Sequence, residues 1–506
     1  MTKLEDFVVL KHIKVCDLKI QSKQVSATYE IQHFNGEKEQ TRLIYSYQEK
    51  LFDKKSLTDW NLASMMVAQV AFNYGLFCEE LIFEGYFEEA DKSFIQKMTE
   101  NTSREIITNK LLVENEFLTP AFKHLSVEPK QHYTQAKIIF ESVSNASPQR
   151  NIAFLASSPS KFSILSSGGK DSLLSYGLLK EIGEPYPVFV NESGRHWFTA
   201  VNAYKFFKAE EPNTSKVWCN SDRVFNWMLR HFSFIRKDYN TLRSDMYPIR
   251  LWTVGVFLFG VLPLTLKKGI GNIIVGDEYD TTVKQQLAGI THYSGLYDQS
   301  KYFDNALTRY YLKKGWKLYQ YSLLRSMSEL LIMKVLLERY GDLQQHQVSC
   351  HAAHASEGKM LPCGTCEKCR RIIGMISALD GDPKRCGYTE AQIKQALSIL
   401  ANKKIKQIGS DASQLFFLLN TKGLLPGGEA IKKVAKEHPE VLQLRFDNER
   451  SSLEDLPEYI REPLFEILKK YANGAVKRTE AKWQSVNLDK TFLHQSKYKF
   501  HESAFE

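Results

Sequence analysis

A short glycine-containing segment between a predicted strand and a predicted helix has the residue types that bind phosphate. It consists of Ser167, Gly168, Gly169, Lys170, Asp171 and Ser172. Glycine lets a backbone approach phosphate oxygens that a Cβ atom would keep away, and the first amides of the following helix point at a bound anion. Both serines can donate hydroxyl hydrogen bonds, Lys170 can add a positive charge, and Asp171 can cap the helix or help to hold Mg²⁺. The segment lacks the GxxxxGK[ST] pattern of kinases and GTPases, and we interpret it as another kind of nucleotide phosphate site in preference to a capped turn.

Four cysteines with the spacing C-x12-C-x2-C-x2-C form a second candidate site. They are Cys350, Cys363, Cys366 and Cys369. Four thiolates without an open coordination position are typical of structural Zn²⁺, and Gly364 suits the tight turn between two of them. The alternatives are an iron–sulfur cluster and redox-active thiols, and His351 or His354 can replace one thiolate. The other cysteines stand alone and are expected to be small apolar residues: Cys16, Cys78, Cys219 and Cys386.

Polar and aromatic residues further along the chain are weaker candidates. Asp277 and Glu278 follow a predicted strand at 272–276, and they can bind metal, act as a general base or simply be solvated. Arg325 can bind an anionic substrate or form an ion pair on a helix. An aromatic stretch can stack on a base or a sugar, although such stretches more often belong to a core. It contains Tyr293, Tyr297, Tyr302, Phe303, Tyr310 and Tyr311.

The elements that carry the phosphate loop and the acids alternate between strands and helices. Strands are predicted at 161–166, 186–191, 216–219 and 272–276, and a helix at 171–182. This alternation predicts an α/β fold with a doubly wound parallel sheet, covered by helices on both faces. The acids at 277–278 then lie beyond the carboxyl end of a strand, where open α/β sheets bind their ligands.

The N-terminal region has a different pattern. The alternating residues 25–31 and 41–47 flank Asn35-Gly36, which predicts a β-hairpin, and apolar residues at 62–77 have mostly helical spacing. A segment rich in Ser, Asn and Pro at 142–148 is the expected domain boundary. The expected domains are an N-terminal α+β domain (1–148), a nucleotide-binding α/β domain (152–345), a four-cysteine zinc-binding segment (346–385) and a helical C-terminal region (386–506).

The composition is that of a globular protein. The 506 residues are 43% hydrophobic and 25% charged, which excludes a wholly disordered or fibrous chain. Lys+Arg 67 against Asp+Glu 58 gives a net charge of +9, which suits anionic ligands but is weak support for nucleic-acid binding. The longest apolar run, 251–266, is shorter than the ~20 residues that cross a bilayer, so a buried helix is expected there. The start of the chain has no apolar signal segment, and we expect a cytoplasmic protein without a membrane partner.

The hexapeptide at 167–172 resembles the SGGxDS signature of the PP-loop ATP pyrophosphatases, the adenine nucleotide α-hydrolase-like superfamily. The resemblance implies a doubly wound sheet, cleavage of ATP to AMP and pyrophosphate, and adenylation of a substrate. It also implies that the loop cradles the pyrophosphate and that Asn191, at the end of the second strand, lies near the adenosine.

Two narrower families are similar to more of the chain. The loop together with the later CxxCxxC pattern looks like 7-cyano-7-deazaguanine synthase, which lacks the N-terminal and long C-terminal regions. Residues 7–380 resemble the ATP-dependent UDP-N-acetylmuramoyl-L-alanyl-L-glutamate epimerase group in order and spacing. The likeness covers the hairpin, the GGKDSL loop, residues 321–330 and the SC…CGxCxKC cluster. The chain departs from that group at 277–279 and 291–298, so the identity of the substrate stays open.

These resemblances imply that a carboxylate is activated by adenylation. Adenylation removes the charge beside the α-carbon and supplies a leaving group, after which a base can move the α-proton or an amine can attack. The predicted catalytic residues are Lys170, Asp171 and Glu278, with Lys170 and Mg²⁺ stabilising phosphate charge. The best-matching outcome is epimerisation of L-Glu in a UDP-linked peptidoglycan precursor. The alternatives are a ligase that forms an amide or nitrile on a deazapurine carboxylate, RNA modification or sulfur transfer, and a non-catalytic nucleotide sensor.

Overall fold

The computed structural model describes residues 2–142, 157–242, 247–294, 296–350, 352–400, 409–425 and 429–501. Most of the expected boundary at 142–148 lies outside these residues, as does His351. The strands are β1 (Leu10–Gln21), β2 (Gln24–Gln32), β3 (Lys38–Tyr47), β4 (Cys78–Gly85), β5 (Lys137–Ser142), β6 (Ser158–Ser166), β7 (Glu184–Asn191), β8 (Ser215–Cys219), β9 (Ile270–Ile274), β10 (Gln285–Leu287), β11 (Ile290–His292), β12 (Tyr319–Tyr321), β13 (His354–Ser356), β14 (Lys359–Leu361), β15 (Leu444–Phe446), β16 (Ala475–Thr479) and β17 (Lys482–Ser485).

Helices connect most of these strands. The α-helices are α1 (Leu57–Ala68), α2 (Glu89–Ile106), α3 (Lys170–Ile182), α4 (His196–Glu210), α5 (Ser221–Leu229), α6 (Val254–Lys267), α7 (Lys301–Lys313), α8 (Glu329–Arg339), α9 (Gly341–Gln344), α10 (Glu367–Ala378), α11 (Glu390–Leu400), α12 (Gly409–Thr421), α13 (Glu429–Val434), α14 (Glu458–Leu468) and α15 (Lys490–Leu493). The strands and the helix predicted around the phosphate loop are thus present as β6, α3, β7, β8 and β9.

One ten-stranded sheet runs through the molecule in the order β12-β9-β6-β7-β8-β3-β2-β1-β4-β5. The first five strands pair in parallel. β3 joins them by antiparallel pairing with β8, and the N-terminal strands continue from there. The N-terminal region and the α/β region therefore share one sheet, whose junction is the pairing of Tyr45–Tyr47 with Val217–Cys219.

Helices cover both faces of the parallel half, as the sequence predicts. Consecutive residues of β7 show this, because side chains alternate across a strand. Phe189 packs in a cluster with residues of α3 and α4, whereas Val188 and Val190 pack with residues of α6 and α7. The sheet is mostly parallel and doubly wound around β6.

The N-terminal hairpin forms where its sequence predicts it. β2 and β3 pair antiparallel from Gln24↔Ser46 to Gln32↔Lys38. Gly36 in the turn has φ +90°, a conformation that glycine adopts without strain. Ala27, Tyr29 and Ile31 are fully buried, so the alternating pattern turns one face of the hairpin towards the core.

The long apolar run forms the buried helix α6, in keeping with the sequence prediction. The carboxylate of Asp298 accepts hydrogen bonds from the amides of Thr253 at 2.9 Å and Val254 at 2.8 Å, so it caps the start of this helix. Pro263 lies inside the helix. Across the described ranges, no helix combines the length and hydropathy that a membrane crossing needs.

The cap from Asp298 should make stability depend on pH. Burial raises the pKa of Asp298 to about 6, above the ~3.9 of an unfolded aspartate. The folded state therefore binds the proton more tightly, and this residue's contribution favours folding at low pH and is lost as pH rises through 6. Between pH 4.5 and 7.5 the free energy of unfolding of Asp298→Asn, relative to wild type, should rise by ~2 kcal/mol. Urea unfolding of both proteins at the two pH values measures it, and a pH-independent difference would contradict it.

The C-terminal region is not purely helical, which corrects the sequence expectation. β15, β16 and β17 form a three-stranded sheet. Each strand has only three to five residues, too few to show a periodic pattern. The turn between β16 and β17 places Glu480 at φ +57° and lacks the Asn-Gly or Asp-Gly signal of a hairpin.

Candidate functional site

The segment between β6 and α3 makes a tight turn that requires glycine at its centre. Gly168 has φ +72°, and a Cβ atom there would lie 2.7 Å from the carbonyl oxygen of Thr199 and 3.0 Å from Cα of Ala200. The first turns of α4 therefore pack directly on the loop. Both the backbone conformation and this close approach exclude a larger residue at position 168.

The first turn of α3 presents its backbone amides without a side-chain cap. The N-cap residue is Gly169, which has no side chain to occupy them, and the first amides of any helix lack partners within the helix. The hydroxyl of Ser172 donates back to the carbonyl oxygen of Gly169 at 3.1 Å, and Ser167 is exposed beside them. The hydroxyl of Ser166, the last residue of β6, is buried and has no hydrogen-bond partner among the described residues. The turn is thus built with donors that an anion can use.

The loop lies at the point where the order of the parallel strands reverses. The chain leaves β6 for β7 on one side, and later returns to β9 on the other side. Open α/β sheets bind ligands in the crevice beyond the carboxyl ends of the strands at such a point. Gly276, just after β9, would place a Cβ atom 2.8 Å from Cβ of Asp171. The turn after β9 therefore packs directly against the first turn of α3.

Asn191 ends β7 on the other side of the loop. Its side-chain oxygen accepts a hydrogen bond from the amide of Ser193 at 3.0 Å, and Ser193 has φ +65°. The amide side chain of Asn191 therefore stabilises the turn after β7 through its oxygen atom.

Lys170 lies inside a group of carboxylates instead of pointing into solvent. Its Nζ atom is 2.7 Å from Oδ1 of Asp171, 2.8 Å from Oε2 of Glu278 and 3.2 Å from Oε1 of Glu329, and its side chain is 6% exposed. Burial opposes the charge on the ammonium group, but the three carboxylates outweigh it and raise the pKa of Lys170. Burial also raises the pKa of Glu278, against the attraction of Lys170. The predicted catalytic residues Lys170, Asp171 and Glu278 are therefore in direct contact.

Two members of this group were not expected from the sequence. Glu329 is the first residue of α8, after the N-cap Ser328, and it lies inside the 321–330 segment used for the family resemblance. Arg371 extends from α10 to within 3.4 Å of Glu329. Position in sequence gives no sign that residues 170, 278, 329 and 371 meet, because each comes from a different element.

Loss of the lysine charge should destabilise the fold strongly. Replacing Lys170 by Met would leave buried carboxylates without their shared cation, and we expect the free energy of unfolding to fall by ~3–5 kcal/mol. The control is Lys384→Met. Lys384 pairs with Glu390 at 2.7 Å, and both side chains are more than half exposed, so the loss of this pair should leave the free energy of unfolding nearly unchanged. Equal effects in urea unfolding would contradict the buried arrangement.

Arg325 is buried between two aspartates. Its guanidinium is 5% exposed and lies 2.5 Å from Asp304 and 3.4 Å from Asp277. The structure shows an ion pair, but it is buried and Arg325 lies in a turn before α8 instead of on a helix surface. Asp277 takes part in this ion pair. Glu278 is therefore the acid after β9 that contacts the first turn of α3.

The aromatic stretch contributes mainly to the core. Its buried members are Tyr297, Phe303, Tyr310 and Tyr311. Tyr293, Tyr297, Tyr302 and Tyr310 line a cleft of about 810 Å³ between α2 and α7. No residue of the phosphate loop or of the turn after β9 lines this cleft. This cleft is therefore separate from the phosphate loop and from the turn after β9.

The four cysteines of the predicted metal site come together. Their sulfur atoms all lie within 4.8 Å of one another, with 3.8 Å between Cys363 and Cys369 and 3.7 Å between Cys366 and Cys350. A tetrahedron with metal–sulfur bonds of ~2.3 Å has edges of ~3.8 Å. The distances therefore fit four ligands around one ion, and they exceed the ~2.05 Å of a disulfide.

Backbone amides prepare these sulfurs to carry negative charge. The amides of Cys363, Cys366 and Cys369 each donate to the sulfur of another cysteine of the cluster at 3.4 Å. Hydrogen bonds with Cys350 and then Cys369 lower the pKa of Cys366, whereas the same sharing of protons raises the pKa of Cys350 and of Cys369. Gly364 has φ +74°, as the expected tight turn requires. The cluster can bind a metal ion such as zinc.

The four-cysteine segment is attached to the phosphate loop. The amide of Val348, two residues before Cys350, donates to the carbonyl oxygen of Gly168 at 3.4 Å. Cys369 and Arg371 both belong to α10, and Arg371 contacts Glu329, one of the carboxylates around Lys170. On the other side, Asn202 of α4 donates to the carbonyl oxygen of Met360 at 2.8 Å and accepts from its amide. The position of the loop thus depends on the four-cysteine segment.

Comparison with models of known protein families gives no match to this chain, and a search of curated proteins gives none either.

Proposed function

We propose that the protein binds ATP in the crevice beside the phosphate loop and cleaves it to AMP and pyrophosphate, transferring the adenylyl group to a substrate carboxylate. The observation that carries the proposal is the place of the loop. The SGGKDS segment follows β6 at the reversal of the strand order, and the first turn of α3 has no side-chain cap. The buried hydroxyl of Ser166, which lacks a partner among the described residues, adds a donor at the same strand end.

The departing pyrophosphate would be held by this chain's own donors. The amides of residues 168–171 and the hydroxyl of Ser167 lie at the turn and can donate to its oxygens. Lys170 would act by positioning Asp171 and Glu278, because its ammonium is held by three carboxylates and does not reach outwards. Asp171 is the most exposed carboxylate in contact with Lys170, at 28%, and would hold Mg²⁺, which neutralises phosphate charge.

Adenylation of a carboxylate can lead to epimerisation or to amide formation. Attack of a carboxylate oxygen on the α-phosphorus forms an acyl adenylate and releases pyrophosphate. The acyl adenylate has a more acidic α-proton than the free carboxylate, and a base can remove and return it before water hydrolyses the acyl adenylate to the carboxylate and AMP. In the other outcome, ammonia attacks the acyl carbon, which forms the amide and releases AMP. Glu278 would be the base that moves the α-proton, because it is the acid after β9 that contacts Lys170 at the first turn of α3 and burial raises its pKa, which is the direction that a general base needs. The resemblance to the epimerase group favours the L-Glu residue of a UDP-linked muramoyl dipeptide, and amide formation on a deazapurine acid is the alternative.

The test identifies the products and the substrate together. Purified protein is incubated with ATP labelled at the α-phosphorus and with the muramoyl dipeptide, a deazapurine carboxylate or tRNA in separate reactions. The proposal predicts labelled AMP and equimolar pyrophosphate with one carboxylate substrate. For the dipeptide, it predicts ATP-dependent exchange of the glutamate α-hydrogen with deuterated water. ADP and inorganic phosphate as products would contradict the proposal. AMP formation with tRNA alone would contradict a small carboxylate substrate and would indicate RNA modification.

For the four-cysteine cluster we propose Zn²⁺. Four sulfur ligands with tetrahedral spacing and no open position are typical of structural zinc. Protein dialysed against a mild chelator should keep one tightly bound zinc per chain and should be colourless. Metal analysis and the visible spectrum check this, and a brown protein with iron and acid-labile sulfide would contradict it.

A further inference from the structure

Two imidazoles and one carboxylate meet beside the N-terminal hairpin. They belong to His33, Glu39 and His231, and one ligand atom from each lies within 4.8 Å of the others. Oε1 of Glu39 is 3.6 Å from Nε2 of His33 and 3.3 Å from Nδ1 of His231. This group lies outside the four-cysteine cluster and the phosphate crevice.

The hairpin places the first two residues on one face. Ile31 pairs with Glu39 across β2 and β3, so their side chains share a face. His33 is two residues beyond Ile31 and points to that same face, diagonally across from Glu39. The register of the hairpin therefore fixes the contact of His33 with Glu39.

α5 brings the third residue to them. Asn220, just before α5, donates to the carbonyl oxygen of Arg42 at 2.7 Å and accepts from the amide of Ile44 at 2.8 Å. The eleven residues from Asn220 to His231 span ~16 Å if helical, and the five from Ile44 to Glu39 span the same ~16 Å as a strand. His231 therefore reaches Glu39, and its ring packs on Trp227 at 4.5 Å.

We propose that His33, Glu39 and His231 bind a zinc ion, with water in the fourth position. Two imidazole nitrogens and one carboxylate oxygen are a known ligand set for Zn²⁺ with one open position. Ligand bonds of ~2.0–2.2 Å in a tetrahedron separate neighbouring ligand atoms by ~3.3–3.6 Å. The two nitrogen–oxygen distances seen here match that spacing.

The same sheet contains an ordinary histidine–glutamate contact, with which the group of His33, Glu39 and His231 can be compared. Nε2 of His12 lies 3.3 Å from Oε1 of Glu30, without a second imidazole in the group. At His33 and His231, two rings with centroids 5.8 Å apart share one carboxylate. A cation between them would satisfy all three groups. It would also link the hairpin to α5 across the junction of β3 with β8.

The experiment counts zinc ions bound to the full chain, prepared without a polyhistidine tag. Protein that retains only the tightly bound metal of the four-cysteine cluster is titrated with Zn²⁺, and bound zinc is measured after equilibrium dialysis. Wild type should bind one additional equivalent. His231→Ala and His33→Ala should each weaken this binding at least tenfold, and Glu39→Gln should also weaken it.

The matched control is His12→Ala, which should bind the additional zinc as wild type does. Added zinc should also raise the unfolding temperature of wild type and of His12→Ala, but not that of His33→Ala. Wild type that takes up no additional equivalent would overturn the proposal, and so would an equivalent that survives in both His33→Ala and His231→Ala. If His231→Ala does not fold, the variants at positions 33 and 39 decide, because both residues are on the hairpin surface.

Discussion

Gly169→Ala should lose at least ~100-fold in affinity for ATP while keeping the stability of the wild type. Gly169 has φ −85°, which alanine adopts freely, and its new methyl group would meet only Oγ of Ser167 at 3.4 Å. The fold can therefore accept the methyl group, but the phosphates cannot approach past it. Removal of one donor from a preorganised oxyanion site costs ~10²–10³-fold in rate, and the methyl blocks several amides at once. Equilibrium dialysis with labelled ATP measures the loss, and urea unfolding measures the stability.

Two other glycine substitutions make this result specific. Gly409→Ala is the neutral control, since a Cβ atom there meets no other atom within 4 Å, and it should bind ATP as wild type does. Gly168→Ala should instead destabilise the protein, because its positive φ and the carbonyl oxygen of Thr199 both oppose a side chain. Unchanged ATP affinity in a folded Gly169→Ala protein would place the nucleotide elsewhere.

Cys369→Ser should abolish both tight metal binding and ATP-dependent pyrophosphate release. Loss of one of four ligands removes much of the binding free energy, which for structural zinc reaches ~10–16 kcal/mol. Cys369 lies on α10 two residues before Arg371, which contacts Glu329 and through it the Lys170 group. We therefore expect the phosphate loop to lose its support from Arg371 and from Val348. Metal analysis, pyrophosphate release and proteolysis of the 350–378 segment measure the three effects.

The control for this variant is Cys16→Ser. Cys16 lies on β1, outside the four-cysteine cluster, and its substitution should leave metal content and pyrophosphate release unchanged. A Cys369→Ser protein that keeps full pyrophosphate release would show that the four-cysteine segment does not support the loop. In that case the contacts of Val348 and Arg371 would be incidental.

The sequence predicts those parts of the site that depend on short-range patterns. The Gly168 turn, the alternating hairpin around Gly36 and the closely spaced Cys363, Cys366 and Cys369 each carry their signal within a few residues. The chain there has few alternatives, since a positive φ or a CxxC step requires a particular residue type. The parallel strands from β6 to β9 are predicted because short strand-like segments alternate with helical ones along this part of the chain.

Contacts between distant elements could not be read from the same patterns. Lys170 looks from its position like a phosphate ligand, but Glu278 and Glu329 surround it from two other elements. His33, Glu39 and His231 show no spacing signal, since a strand pairing and a helix length bring them together. The pairing of β3 with β8, which joins the N-terminal strands to the parallel sheet, likewise depends on a register set far along the chain.

A crystal structure of the protein with an ATP analogue whose α–β bridging oxygen is replaced by methylene tests the central claim most directly. The account predicts the β- and γ-phosphates within hydrogen-bond distance of the amides of residues 168–171, with the adenosine towards Asn191. Triphosphate bound in the cleft between α2 and α7, or a phosphate loop without any contact to the analogue, would contradict it.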